Sequence, residues 1–295
     1  MNKQKTIGEA LRQGVAAFTE AAIPSPRLEA EVLLASLLGL RRAGLLARLR
    51  DPLEEKTEQQ WSRWLAERCC GRPLQYITGQ QEFWGLDFAV TPDVLIPRGD
   101  TEVLVETALA LLRDPATALP GSIVDVGTGS GAIAVALARE LPDRTVLAID
   151  RSEAALAVAR ANGRRHGVNG QITWLPGDLL QPVLDRGERP AMILSNPPYI
   201  CTGDLAGLQR EVVGFEPHLA LDGGDDGLLC YRRLVPQAAA LLLPGGWLVV
   251  EIGCDQGSDV AGLMRAQGFA GVRVIADMAG LDRVVVGQWH RREAK

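Results

Sequence analysis

The chain has 295 residues, 47% of them hydrophobic and 23% charged, the balance of a folded protein with enough length for two domains. No stretch reaches the ~18 uninterrupted apolar residues of a membrane span, and the start, MNKQKTIGEALRQGV, has neither an apolar signal core nor a small-residue cleavage site. The formal net charge is −5, made of +3 over residues 1–75 and −8 over the rest, and the acidic larger part argues against a protein that grips duplex DNA through a strong basic face.

Five cysteines form no CxxC and are odd in number, and the three histidines are far apart in sequence. A reduced, cytoplasmic protein with incidental thiols and no metal site is expected. No large exposed apolar stripe advertises a dimer, so a monomer is expected.

Residues 5–70 are rich in Ala, Leu, Arg and Glu at helical spacing and predict a small helical domain over residues 1–75. Two prolines in PSPRLEA (24–30) mark a helix entrance, and Val32, Leu33, Ser36, Leu37 and Leu40 fall on one helical face. QEFWGLDFAV (81–90) and TPDVLIP (91–97) read as two short strands with a turn, a hairpin linker over 76–98. A third region, 99–295, opens with a helix near Asp100, whose side chain can cap it, and on which Val103, Leu104, Leu111 and Leu112 share a face.

From residue 121 strands and helices alternate. SIVDVG, TVLAID, QITWLPGD, AMILSN and GGWLVVEIG read as strands. Helices lie over GAIAVALARELP, SEAALAVARANGRRHG, DGLLCYRRLVPQAAALLL (with Pro236 as a kink) and SDVAGLMRAQG. GVRVIADMAGLDRVVVGQW closes the chain as two strands joined by a turn. Such alternation predicts a mostly parallel α/β sheet, here of seven strands. The last two strands have no helix between them, so one of them runs antiparallel.

The first of these strands enters DVGTGSGAIA (125–134). Gly127, Gly129 and Gly131, with Thr128 and Ser130 between them, lie in a strand-to-helix turn where an absent Cβ lets a ligand approach the backbone. The loop satisfies the GxGxxA of dinucleotide sites loosely. With Asp125 ahead of it, the loop also fits the acidic-GxGxG form of S-adenosylmethionine sites. Asp150 ends the next strand, where a carboxylate can accept both hydroxyls of a ribose; Ser152 can cap the helix that follows. Asp178 and Leu179, after the third strand, would supply an acceptor for an adenine amino group and an apolar wall, although Asp178 serves equally well as a turn residue.

SNPPYI (195–200) ends the fourth strand at the same edge of the sheet. Prolines and Asn stop strands, which explains the residue types but not their order. Methyl transfer to a planar nitrogen explains both. The lone pair of an amide or of an exocyclic amino group is delocalised, so the NH₂ must be held in line with an activated methyl group. The Asn196 side-chain oxygen and the Pro197 carbonyl can each accept one N–H and stabilise charge developing on the nitrogen. Pro198 stiffens the backbone, and Tyr199 offers a face for stacking.

Taken with PLQYITG (73–79), IPRGDTE (96–102), EPHLALDGGDDGL (216–228) and DMAGLDRVVVG (277–287), these motifs resemble the HemK/PrmC family of protein glutamine methyltransferases over nearly the whole chain. The resemblance implies a Rossmann-like class I methyltransferase fold and S-adenosylmethionine as cofactor. It implies, as substrate, the Gln of the Gly-Gly-Gln motif in peptide-chain release factors. Gly127–Gly131, Asp150, Asp178, Leu179 and Asn196 would form the cofactor cleft, and Asn196–Tyr199 the glutamine pocket. By the same resemblance Arg98, Thr101 and Glu102 would close over the methionine end, and the amino-terminal domain would help dock the release factor. Gly99 stands where the family usually has Pro.

Three other readings compete. A DNA adenine or ribosomal RNA guanine methyltransferase shares NPPY, but the acidic larger part and the lack of a long basic or aromatic-rich segment disfavour a nucleic-acid partner. An NAD-dependent oxidoreductase leaves NPPY without a task. A non-catalytic adapter would hold S-adenosylmethionine as a structural ligand.

Overall fold

A computed structural model describes residues 4–290. The chain forms two compact units: one runs to Gln80 and takes back Gln209–Phe215, the other comprises Gln81–Leu208 and the chain from Glu216 onward.

The first unit is helical: α1 (Ile7–Glu20), α2 (Pro26–Leu37), α3 (Arg42–Ala47), α4 (Glu55–Cys69) and α5 (Leu74–Thr78). Thr6 and Glu9 form a capping box at the start of α1, the Thr6 amide donating to Glu9 Oε2 at 2.7 Å and the Glu9 amide to Thr6 Oγ1 at 3.2 Å. Phe18, Leu33, Leu34, Leu45 and Trp61 make the core, and the Trp61 indole donates to Ala10 O at 3.1 Å.

The face of α2 differs from the one its apolar pattern suggests. Ala30, Leu33 and Leu34 point inward, whereas Val32 and Ser36 face water. Glu31 is fully buried because it has two cations to meet, Arg27 at 2.9 Å and Arg42 at 2.5 Å. The Arg27 and Arg42 guanidiniums hold its carboxyl below the usual carboxylate range. Ion pairing thus set the rotation of the helix, which a count of apolar residues does not register.

A hairpin follows, β1 (Gln80–Phe83) and β2 (Leu86–Ala89). Its turn residues Trp84 and Gly85 both have positive φ, 55° and 68°, as tight two-residue hairpin turns demand. Phe83 and Phe88 are fully buried, edge to face with ring centres 6.1 Å apart. A short 3₁₀ turn, Gly99–Thr101, then leads into α6 (Glu102–Arg113). Asp100 does not cap this helix; its carboxylate lies 3.2 Å from the Arg283 guanidinium, and the helix has no side-chain cap.

The remaining elements follow in order: β3 (Ile123–Val126), α7 (Ala132–Glu140), β4 (Val146–Asp150), α8 (Glu153–Arg165), β5 (Ile172–Pro176), α9 (Gln181–Asp185) and β6 (Met192–Ser195). After α10 (Arg210–Phe215) come α11 (Leu229–Leu241), which runs through Pro236, β7 (Trp247–Glu251), α12 (Gly257–Gln267), β8 (Phe269–Ala276) and β9 (Asp282–Trp289). The return of α10 to the first unit has a clear anchor: buried Arg68 pairs with Glu29 at 2.5 Å and with Glu211 at 2.9 Å.

The seven-stranded sheet has the order β5-β4-β3-β6-β7-β9-β8 and is parallel except for β9, which runs antiparallel to both its neighbours. Strand residues alternate between two apolar layers. Ile123, Val146, Met192 and Val249 pack under α6 and α7, while Val124, Leu147, Ile193 and Val250 pack under α11 and α12. The chain winds outward from β3 through β4 to β5, then crosses to the other side of β3 for β6. That reversal opens a crevice beyond the carboxyl ends of β3 and β6, the position where open α/β sheets hold ligands. Among the described residues no helix is long and apolar enough to cross a membrane.

Candidate active site

The crevice brings the glycine loop and the Asn-Pro-Pro-Tyr turn together. The Gly127 and Thr128 amides both donate to Ile149 O at 2.9 Å, which folds the loop over the end of β4. Gly127 and Gly129 have φ of 74° and 55°, and a Cβ on either would project into open space. Gly131 differs: its Cβ would come within 3.1 Å of Ala159 Cβ, so its bareness serves the packing of α7 against α8. Between the glycines, Thr128 and Ser130 are buried; the Thr128 hydroxyl donates to Asp125 Oδ2 at 2.6 Å, and the Ser130 carbonyl accepts from Asn162 at 2.9 Å. Asp125 is fully buried with Oδ1 lacking a partner among the described residues, and burial pushes its carboxyl up to about 7.

Asp150 works on the loop directly. Its Oδ2 accepts the Gly129 amide at 2.9 Å and its Oδ1 the Ser152 amide at 2.9 Å, while Ser152 caps α8 by accepting the Ala155 amide at 3.1 Å. Each carboxylate oxygen keeps lone pairs for a further donor. Asp178 meets Arg233 at 2.5 Å, and its carbonyl accepts the Gln181 amide, so it is also a turn residue. Leu179 holds a left-handed φ of 49°, uncommon for a branched side chain. Gly127, Gly129, Asp150, Asp178, Leu179, Asn196, Pro197 and Pro198 line one cleft. Thr128, Ser130, Gly131 and Tyr199 stand outside its lining. Val94, Pro217, Leu219 and Cys230, which sequence patterns did not single out as ligand groups, contribute to the cleft wall.

Asn196 follows directly on β6. Its Nδ2 donates to Thr101 Oγ1 at 3.1 Å; no donor among the described residues reaches its Oδ1 or the Pro197 carbonyl. Tyr199 packs its ring on the apolar layer under α11, and burial pushes its phenol up to about 12. Its carbonyl accepts from Gln256 Nε2 at 3.0 Å. The 216–228 segment wraps this turn: Ile200 N donates to Leu221 O at 3.1 Å, and Gly223 N to Ile200 O at 2.8 Å. A Cβ on Gly227 would lie 2.3 Å from the Tyr199 carbonyl oxygen. Glu216, also buried, accepts from Arg98 at 2.5 Å and from the Ile96 amide at 3.4 Å. The segments IPRGDTE and EPHLALDGGDDGL are therefore tied to each other and to NPPY. Glu102 faces elsewhere and accepts the Trp84 amide at 2.7 Å in the hairpin turn.

One residue of the site escaped the sequence reading. Glu251 closes β7 and is 1% exposed, with Oε2 lacking a partner among the described residues. Burial pushes its carboxyl up to about 7, against the pull of the Thr101 hydroxyl, Arg283 and the Asn196 amide. A lone carboxylate at the carboxyl end of the run WLVVE was the available signal.

A switch-point crevice that joins a glycine loop to an Asn-Pro-Pro-Tyr turn on this sheet is the arrangement of a methyltransferase. Residues 101–210 match the methyltransferase small domain family, and residues 9–79 match the PrmC N-terminal domain family. The chain belongs to the release factor glutamine methyltransferase family. It is 48% identical to the release factor glutamine methyltransferase of Moorella thermoacetica, over 98% of this chain and 99% of that one. With that of Geobacter sulfurreducens it shares 47% identity over 92% of each. Among solved structures, a methyltransferase from Pyrococcus furiosus superposes with a TM-score of 0.51 at 19% identity, over 70% of this chain and 90% of that one. The hMettl16 catalytic domain in complex with MAT2A 3′UTR hairpin 6 superposes at 0.55 with 15% identity, covering 82% and 84%. These two likenesses concern the fold alone.

Proposed function

We propose that this protein transfers a methyl group from S-adenosylmethionine to the side-chain amide nitrogen of the Gln in the Gly-Gly-Gln motif of peptide-chain release factors. The cleft suits that cofactor. Gly127 and Gly129 leave room for close backbone approach, Asp150 can accept ribose hydroxyls, and Asp178 and Leu179 flank the place for an adenine. When bound, the cofactor supplies an electrophilic methyl group on a sulfonium.

What the chain itself must do is orient a poor nucleophile. Asn196 Oδ1 and the Pro197 carbonyl accept the two N–H groups of the glutamine amide and hold its nitrogen in line. As positive charge develops on that nitrogen, both oxygens stabilise it at no cost in reorganisation. No strong general base is needed, because the nitrogen becomes acidic as it is alkylated. Tyr199 and the 216–228 segment that grips its backbone keep the turn rigid, and the unit containing residues 9–79 docks the release factor.

The observation that carries this reading is Asn196: it lines the glycine-loop cleft with its Nδ2 already committed to Thr101, so its oxygen is the group left to meet a donor. The test is transfer of isotope-labelled methyl from S-adenosylmethionine to purified release factor, with DNA and RNA offered in parallel. Label in the release factor supports the reading; label only in nucleic acid would replace it with the rival N-methyltransferase.

A further inference from the structure

An asparagine that works through its oxygen faces a degeneracy. The carbonyl and NH₂ ends of the amide have nearly the same shape, and a flipped Asn196 would turn donors toward a substrate nitrogen that carries only donors. Thr101 alone does not remove the degeneracy, because a hydroxyl both donates and accepts. Something nearby must be acceptor only.

The sheet supplies that group. Ser195 and Val250 are partners in the parallel pairing of β6 with β7, so the next residue on each strand, Asn196 and Glu251, come side by side at the carboxyl edge. Glu251 is 1% exposed, with Oε2 lacking a partner among the described residues, and the Thr101 hydroxyl and the Asn196 amide both favour ionisation of its carboxyl. We infer that Glu251 is a positioning residue for methyl transfer: it takes one N–H of the Asn196 amide while Thr101 takes the other, so that Oδ1 points at the substrate. This assignment rests on the proposed role of Asn196.

An ionised carboxylate accepts only. It fixes Thr101 as donor toward itself, which leaves Thr101 Oγ1 to accept from Asn196, as observed at 3.1 Å. A flipped Asn196 would press its carbonyl oxygen against that carboxylate. Once protonated, Glu251 can donate as well, and the discrimination fades.

The groups around Glu251 tune its ionisation. Burial raises its carboxyl to about 7, Asp100 adds repulsion, and Arg283, shared with Asp100 and Asp277, opposes both. The phenols of Tyr199 and Tyr231 also face it and stay neutral at these pH values. Ionisation as pH rises through about 7 therefore locks Asn196 in its working orientation.

The experiment compares kcat for release factor methylation between pH 6 and 9 in the wild type, Glu251→Gln, Glu251→Ala and Asn196→Ala, with S-adenosylmethionine affinity and thermal unfolding measured on each. The wild type should gain activity through about pH 7. Glu251→Gln, which keeps the shape but both donates and accepts, should lose about ten-fold or more in kcat, with unchanged cofactor affinity and a flat profile. Glu251→Ala should fall further. A Glu251→Gln enzyme with wild-type kcat, or with the acid limb intact, would overturn the assignment; so would parallel loss of cofactor affinity, which would mark a structural role. Asn196→Ala separates the two claims: if it stays active, the reading of the site fails irrespective of Glu251.

Discussion

The carboxylate of Asp150 accepts the backbone amide of Gly129 at 2.9 Å, tying the end of β4 to the middle of the glycine loop. The contact gives Asp150 two tasks, to shape the loop and to meet the ligand over it. A hydrogen bond to a charged group contributes about 1.5–3 kcal/mol, so Asp150→Ala should weaken S-adenosylmethionine binding roughly 10- to 100-fold in calorimetric titration. Unchanged affinity would move the cofactor away from this loop.

Two glycines should respond differently to the same substitution. Gly129→Ala places its Cβ in open space, so the folded chain loses only the ~1–2 kcal/mol of a left-handed residue, while cofactor affinity falls steeply. Gly227→Ala drives a Cβ to 2.3 Å from the Tyr199 carbonyl oxygen and 2.5 Å from Gln256 Nε2. That variant should unfold well below the wild-type temperature and lose turnover as the Tyr199 turn shifts.

Much of this site was legible from sequence because it is local. Gly127–Gly131 and Asn196–Tyr199 are contiguous runs at strand ends, and strand-helix alternation was enough to put both at one edge. Partnerships across the chain were not legible. Glu216 reaching Arg98, Gln256 reaching Tyr199 and the placement of Glu251 beside Asn196 by the pairing of β6 with β7 each join residues far apart in sequence, and no periodicity encodes them. Asp100 reads as a helix cap until Arg283 is seen beside it, and the rotation of α2 depends on the two arginines at Glu31.

The Arg98–Glu216 pair is asymmetric, which makes it informative. The Glu216 side chain is 1% exposed and that of Arg98 41% exposed. Arg98→Ala strands a buried charge and should cost about 3 kcal/mol in urea unfolding. Adding Glu216→Gln to Arg98→Ala should recover part of that loss. A neutral Arg98→Ala would show that the tie between the two segments contributes little.

Asp125 gives a pH signature. Its carboxyl is raised from 3.8 to about 7, so the associated stability is fully present below about pH 3.8 and is lost as pH rises to about 7. Asp125→Asn does not titrate there. Relative to the wild type it should therefore gain about 2–3 kcal/mol between pH 5 and pH 8, read from urea unfolding at the two pH values. No relative gain would mean that Asp125 is ionised in the folded protein at pH 5.

The central claim concerns a single nitrogen atom. Tandem mass spectrometry of a release factor incubated with this protein and S-adenosylmethionine should place one added methyl on the side-chain amide of the Gly-Gly-Gln glutamine. With Asn196→Ala the yield should fall about 10²- to 10³-fold while cofactor affinity changes little by comparison. A release factor left unmodified by protein that binds S-adenosylmethionine, or one methylated at any other residue, would contradict the account.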